Sequence, residues 1–363
     1  MRRSSTSAWA RPALVALVAF SLLAGLAGGL MRAGVPIIGW LPAAWVLPAA
    51  SLHAALMVCG FLGTVIGIER AVALHAPWAF LAPLASASGA VCLMLGQTWP
   101  GMALIVLAGA VFTLVNVFIV GRQAARHTWL LLASALIWLL GNVRFMHHGL
   151  ANGTLLAWLG FLVLTIAAER LEMTRLMRVR PWSTPSLGAC LALLLTGIVL
   201  AEWQGQAALL LWGLGLLALS AWLISFDIAR HTIKAEGLSR YMAACLLLGY
   251  AWLGVSGLCW VGMSLGMATR DAALHALGLG FIISMVMGHA PVILPAVARV
   301  KLHFDARFYL PLALLHASVL VRLLAGHTDP AWHAAGSTLN AMAIVLFAVT
   351  VISAAWSWRW RHP

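Results

Sequence analysis

The sequence predicts an all-α, polytopic membrane protein, and three properties of the chain indicate this class. Of its 363 residues, 63% are hydrophobic and only 9% are charged, with a mean hydropathy of +0.99. A water-soluble domain cannot cover its surface with so little charge. The apolar residues form runs of about 20, the length that a helix needs to cross a bilayer. The alternating segments that are typical of barrel strands do not occur in the sequence.

Twelve apolar runs are long enough to be membrane spans. Short loops separate them, and Pro100-Gly101 is expected to form the tight turn between the third and the fourth. No segment is long or polar enough for a soluble domain, so the whole chain, 1–363, is expected to form one membrane domain. The spans are predicted near 12–31, 50–72, 79–97, 101–120, 129–148, 154–171, 185–202, 206–226, 239–263, 271–297, 307–325 and 332–357.

The distribution of basic residues predicts the orientation of the spans. With a cytoplasmic N-terminus, 18 of the 22 Lys and Arg residues lie at cytoplasmic helix ends, as the positive-inside rule requires. We therefore expect a bacterial inner-membrane protein with both termini in the cytoplasm. The net charge of +13 then forms a basic rim against anionic lipid, and no nucleic-acid partner is expected. The four exceptions are Arg32, Arg144, Arg270 and Arg322.

A short pattern recurs three times in the chain. GFLGTVIGIER at 60–70 is matched by GFLVLTIAAER at 160–170 and by GFIISMVMGHA at 280–290. The copies lie on the second, sixth and tenth spans, so each is the second helix of a four-helix unit. We therefore keep the first span as part of the fold rather than as a signal peptide. The predicted architecture has three pseudo-symmetric four-helix units, at about 1–125, 126–235 and 236–363.

The chain has 13 histidines, several of them at the predicted outer ends of spans. His53 and His275 lie at similar depth on the equivalent second and tenth spans. Imidazole is a common ligand of iron and copper, so these two are the first candidates for the axial ligands of a haem. Arg144, Arg270 and Arg322 lie near the same membrane edge and are candidates to pair with the haem propionates.

A second group of ionisable residues lies elsewhere in the spans. His289 is 14 residues beyond His275, roughly 21 Å along a helix, so one haem cannot use both. His289, with His316 or His147, is a candidate for copper or a second haem. Glu69 and Glu169 occupy the position of His289 in the other two copies, which suggests a proton path. The alternative is that each glutamate forms an interfacial pair with the arginine that follows it.

Two stretches of the chain resemble the NnrS family of twelve-span bacterial membrane proteins. The second span is similar to that family through His53 and Gly60-Phe61. The similarity extends over about 270–325, and elsewhere only the hydropathy matches. The matching positions in this region are His275-Ala276-Leu277, Gly280, Met285, Met287 and Gly288-His289.

The resemblance to NnrS implies a protein that contains haem and copper and is tied to nitric oxide stress. It implies a b-type, non-covalent haem, since none of the five cysteines forms the motif that attaches haem covalently. Two departures mark a divergent member. No His-Glu-Met follows His53, and Ala290-Pro291 stands where Thr-Gly is expected.

The chain is also similar in architecture to the catalytic subunits of haem-copper oxidases and nitric oxide reductases. Those subunits hold a low-spin haem by histidines on the second and tenth spans, where His53 and His275 fall. The sixth and seventh spans of this chain carry no histidine, so the binuclear centre of those enzymes is not expected here.

The sequence therefore leads to an NnrS-like haem protein, with copper as a second expected metal. It is expected to bind or redox-process nitric oxide or related nitrogen oxides, in nitrosative stress or denitrification. The expected partners are the lipid bilayer, haem, nitric oxide and a respiratory electron donor. The main alternative is a secondary transporter that couples through His289, Glu69 and Glu169 without a metal. A structural assembly factor that does not use the histidines is a third reading.

Overall fold

The computed structural model describes residues 7–37, 39–174, 180–298 and 300–361. In these ranges every regular element is helical and there is no strand. Twelve helices are long and apolar enough to cross a membrane, which confirms the predicted all-α class. They are α1 Ser7–Arg32, α2 Ala43–Leu74, α3 Pro77–Met94, α4 Thr98–Arg122, α5 Arg126–His148, α6 Asn152–Thr174, α7 Ser183–Leu200, α8 Gly205–Phe226, α9 Gly237–Ser264, α10 Arg270–Pro295, α11 Ala306–His327 and α12 Pro330–Arg361.

The bounds of two helices differ from the sequence prediction. Helix α2 begins at Ala43 rather than near residue 50, because Pro48 is accommodated inside it. The turn between α3 and α4 lies before Pro100-Gly101, at Gly96, whose φ of +76° suits glycine. Pro100 instead lies in the first turn of α4, where its missing N–H does not break a helical hydrogen bond.

The chain divides into two compact units, Met1–Phe161 and Leu162–Pro363. In the first unit α1 packs on α2, α3 packs on α4, and α4 packs on α5. In the second unit α7 packs on α8, α9 packs on both α8 and α10, and α11 packs on α12. The division into three four-helix units stays a prediction.

The predicted orientation depends partly on five basic residues that lie outside the described residues. They are Arg2, Arg3, Arg175, Arg178 and Arg299.

Glycines bring neighbouring helices close together in both units. A Cβ on Gly28 of α1 would lie 2.1 Å from the carbonyl oxygen of Ala49 on α2. A Cβ on Gly213 of α8 or on Gly257 of α9 would lie 2.8 Å from the carbonyl oxygen of the other glycine. Small residues at such crossings allow backbone contact between membrane helices. Both pairs of helices therefore have specific contact faces.

Helices α2 and α10 each contain a π-helical segment, Leu56–Gly63 and Ala276–Ile283. The two segments are 220 residues apart, as are the Gly-Phe pairs at 60 and 280 that begin two copies of the repeated pattern. The third copy lies in α6, which is a regular α-helix over Asn152–Thr174. π-helical segments occur frequently at functional sites. Here one begins three residues after His53 and the other directly after His275.

Candidate functional site

His53 is held on α2 by contacts with the glycine-rich face of α1. Its Nδ1 lies 2.7 Å from the carbonyl oxygen of Gly25. A carbonyl only accepts, so Nδ1 carries the hydrogen, and in the neutral ring Nε2 carries the lone pair. The imidazole lies against Gly29, where a Cβ would be 2.8 Å from its Cε1. The half-buried ring thus has a fixed orientation and tautomer.

His275 is held in the same tautomer by the first turn of α10. Its Nδ1 lies 2.9 Å from Oδ1 of Asp271 and 3.0 Å from the carbonyl oxygen of the same residue. Both are acceptors, so Nδ1 again carries the hydrogen. Metal-binding histidines typically have one ring nitrogen donating to a carbonyl or carboxylate while the other binds the metal. His53 and His275 both have this arrangement.

Asp271 also contacts side chains from two further helices. Arg322 of α11 donates from Nε to Oδ2 at 3.0 Å and from Nη2 to Oδ1 at 2.7 Å. His333 of α12 lies with Nε2 3.3 Å from Oδ2. Sequence analysis missed Asp271, because its partners are 51 and 62 residues away in the chain. The position of Asp271 in the first turn of the span that carries His275 could have indicated this contact.

The three arginines expected at haem propionates lie in different environments. Arg322 is buried, and its Nε and Nη2 already bind the Asp271 carboxylate. Arg144 is half-buried and donates from Nη1 to the carbonyl oxygen of Gly153 at 3.3 Å. Arg270 is exposed at the beginning of α10. A propionate would therefore compete with Asp271 for Arg322.

His316 is enclosed by protein contacts on both ring nitrogens. Trp252 donates from Nε1 to Nδ1 at 2.9 Å, so Nδ1 accepts and the hydrogen of the neutral ring is on Nε2. Nε2 lies 3.4 Å from the hydroxyl oxygen of Ser284, which itself donates to the carbonyl of Cys245 at 2.8 Å. These contacts are those of a packed core histidine that faces protein.

His289 meets a buried ion pair in the second unit. Arg170 of α6 donates from Nε and Nη2 to the two carboxylate oxygens of Asp227, at 2.8 and 3.0 Å. Its Nη1 lies 3.5 Å from Nε2 of His289, and Nδ1 of His289 lies 2.7 Å from the carbonyl of Met285. Arg170 is 3% exposed and Asp227 is 1% exposed. Arg170 is therefore buried, and not solvated as the interfacial alternative expected, and it binds Asp227.

Two more groups complete this cluster around Arg170 and Asp227. The backbone N–H of Ala229 donates to Oδ1 of Asp227 at 2.7 Å. Tyr250 of α9 is fully buried, and its hydroxyl lies near both charged side chains of the pair. Glu169 is half-buried beside Arg170. The cluster of Arg170, Asp227 and Tyr250 was not predicted, since Arg170 and Asp227 are 57 residues apart in the sequence.

The other copy of the Glu-Arg pair lies in the first unit. Oε1 of Glu69 lies 2.8 Å from Nη2 of Arg70, as the sequence predicted for neighbouring residues. Arg70 is nonetheless buried in α2, with 8% of its surface exposed. The proton path through Glu69 and Glu169 stays a prediction.

The copper ligands predicted from sequence are in unrelated environments. In the part of the chain that the structure describes, no three His, Cys, Asp or Glu side chains form a group that could hold a metal ion. His289 faces the Arg170 guanidinium, and His316 is bound on both nitrogens. His147 is exposed at the end of α5, next to His148. These donors do not fit a copper centre.

Comparison with known families places the chain. One family model, described as a domain of unknown function (DUF8744), matches residues 11–356. The chain belongs to the DUF8744 family. No curated protein and no solved structure matches it.

The DUF8744 match covers most of α1, all of α2 to α11 and most of α12. It therefore includes both π-helical segments, both histidines that precede them and the Arg170–Asp227 cluster. The family description names no activity, so the contacts of these side chains are the basis for a proposed function.

Proposed function

We propose that this protein is a multi-pass membrane protein that binds a b-type haem non-covalently and uses it to bind or redox-process nitric oxide or a related nitrogen oxide. His53 and His275 are the proposed axial ligands. The proposal follows the likeness of the second span and of 270–325 to the NnrS family. It places the protein in a bacterial inner membrane with both termini in the cytoplasm, as the basic residues predict.

The observation that carries the proposal is the shared state of the two histidines. Each has Nδ1–H engaged by a protein acceptor, at 2.7 Å for His53 and 2.9 Å for His275. Each directs the hydrogen of its neutral ring away from Nε2, which leaves the basic nitrogen that haem iron prefers. His275 directly precedes the π-helical segment of α10, and His53 lies three residues before that of α2. The two histidines therefore combine a fixed tautomer with a place at the beginning of a π-helical segment.

The protein groups have distinct roles in this proposal. Haem, when bound, supplies the iron that exchanges electrons and binds the gas. Gly25 and Gly29 orient His53, and Asp271 orients His275. The apolar helix faces would exclude water, and Arg144 and Arg270 are the proposed partners of the haem propionates. Copper is not part of the proposal, because the predicted donors do not fit it.

Nitric oxide addition tests the functional half of the proposal. His53 and His275 would both hold the haem, so nitric oxide would compete with one of these histidines for it. We expect reduced, anaerobic wild-type protein to change its Soret band on addition of nitric oxide. Any haem that His53→Ala or His275→Ala retains should react faster than the haem of wild type. His148→Ala, which alters an exposed histidine, should react as wild type. Haem-loaded protein whose spectrum and oxidation state do not respond to nitric oxide would refute this function.

The Arg170–Asp227–His289 cluster favours a second candidate, a secondary transporter. Ionisable groups inside a membrane bundle mark substrate or proton pathways by default. This reading needs no metal and predicts that His289→Gln abolishes transport while the fold is kept. Substrate-induced changes in protease protection of reconstituted protein, lost in His289→Gln but present in His316→Gln, would favour it over the haem protein.

A further inference from the structure

We propose that Asp271, clamped by Arg322, is a positioning residue that holds His275 in its metal-binding tautomer and strengthens it as a haem ligand. This inference rests on the proposed haem function and deepens it. It concerns the orientation and basicity of one ligand, His275, and not the choice of ligands. The observation behind it is that a single carboxylate contacts His275, Arg322 and His333.

The carboxylate is held rigidly. Arg322 binds both of its oxygens, at 2.7 and 3.0 Å, and a planar guanidinium fixes the orientation of a carboxylate that it binds in this way. Arg322 is 8% exposed and is itself fixed by α12, because a Cβ on Gly336 would lie 2.7 Å from the Arg322 Cα. The support for His275 thus comes from three helices and not from the flexible end of one.

The two candidate ligands differ in their acceptors. His53 donates to a neutral carbonyl, that of Gly25, whereas His275 donates to a carboxylate as well as to a carbonyl. A hydrogen bond to a carboxylate raises the basicity of the other ring nitrogen. A more basic ligand stabilises the oxidised iron, so the Asp271 contact is expected to lower the reduction potential of the haem.

The pairing with Arg322 explains why the carboxylate is retained next to a histidine. Asp271 is part-exposed, at 42% of its side chain, and would otherwise be free to turn toward water. The guanidinium, which donates to both oxygens, holds the carboxylate in place. The third contact, from His333 at 3.3 Å, approaches the same Oδ2 that accepts from Arg322 Nε. Arg322 and His333 thus both contact the carboxylate that accepts from Nδ1 of His275.

The test is the haem midpoint potential of purified, haem-loaded protein. Asp271→Asn keeps the shape but removes the charge, and the expected result is at least a tenfold shift of the redox equilibrium toward reduced haem, about 59 mV for one electron. Second-sphere partners of metal ligands typically change affinity by about 10- to 100-fold. Asp305→Asn is the matched control, because it removes an aspartate paired with an arginine at the beginning of α11. Its potential should equal that of wild type.

Asp271→Asn leaves the buried positive charge of Arg322 without its carboxylate partner, and this could unfold the protein. A second variant keeps the test valid in that case. Asp271→Asn with Arg322→Gln removes both charges and should show the same rise in potential. A variant with the melting temperature of wild type that loses haem also supports the inference, because the fold is then intact and only the positioning of His275 is lost. Haem retained at an unchanged potential in both variants overturns the inference alone. Wild-type protein that takes up no haem overturns it together with the proposed function.

Discussion

Removing the Asp227 carboxylate should destabilise the second unit strongly. Asp227→Ala leaves the Arg170 guanidinium, 3% exposed, without the two charged hydrogen bonds at 2.8 and 3.0 Å. It also removes the acceptor of the Ala229 N–H. Breaking one side of a buried ion pair costs about 3–5 kcal/mol, since the remaining charge stays in a low-dielectric surrounding. The unfolding equilibrium constant should therefore change by roughly 100- to 4,000-fold.

The second partner of the pair provides the control. Arg170→Met should be destabilising to a similar degree, because it leaves the Asp227 charge buried. The double variant Arg170→Met with Asp227→Leu removes both charges. Apolar replacements of a buried pair are often neutral or stabilising by about 1–4 kcal/mol. We therefore expect the double variant to be more stable than either single variant.

Unfolding can be followed with a thiol-reactive dye in detergent. Cys190 and Cys245 of the second unit are buried thiols that react only when this unit opens. Asp227→Ala within about 0.5 kcal/mol of wild type would refute the reasoning, because it would mean that water reaches Arg170. A double variant as unstable as the single ones would refute it too, since the loss would then come from packing and not from charge.

Two further predictions concern the helices that carry the site. Gly280→Ala should cost about 1–3 kcal/mol, because its Cβ would lie 2.4 Å from Trp252, whereas Gly278→Ala in the same π-helical segment meets no atom within 4 Å and should be tolerated in the same dye assay. Asp305 caps the first turn of α11 by accepting from the Arg307 backbone N–H at 2.9 Å, so Asp305→Ala should cost about 0.5–2 kcal/mol at neutral pH. Because pairing with Arg307 lowers the pKa of Asp305, this stabilisation is complete above about pH 4 and is lost as the pH falls through the lowered native pKa. An Asp305→Ala effect that is equal at pH 7 and at acid pH would contradict this.

The fold class could be predicted because the length of a membrane helix is encoded locally. Each helix satisfies its own backbone, so about 20 apolar residues suffice to identify it. The beginning of α2 was missed because Pro48 usually marks a boundary but is accommodated here. The π-helical segments were not predicted, since a bulged backbone depends on partners from other helices. In α2, for example, the hydroxyl of Ser86 donates to the carbonyl of Cys59 at 2.7 Å.

The candidate site was predicted only in part, for a related reason. His53, His275 and His289 could be identified by depth and by the repeat, which are properties of the sequence. The acids that orient or face them could not, because Asp271 and Asp227 find their arginines 51 and 57 residues away. Charge pairing across helices requires the packing to be known. For this reason Arg170 was expected to be solvated at the membrane interface, whereas it is buried and paired with Asp227.

The visible absorption spectrum of purified, haem-supplemented protein tests the central proposal most directly. We predict a Soret band and sharp bands on reduction with dithionite for wild type and for His148→Ala. His53→Ala and His275→Ala should each lose haem or lose these sharp bands while unfolding at the wild-type temperature. A folded wild-type protein without haem absorbance, or unaltered spectra in both histidine variants, would contradict the account. A wild-type protein without haem absorbance would also favour the transporter, and transport by His289→Gln would then be measured next.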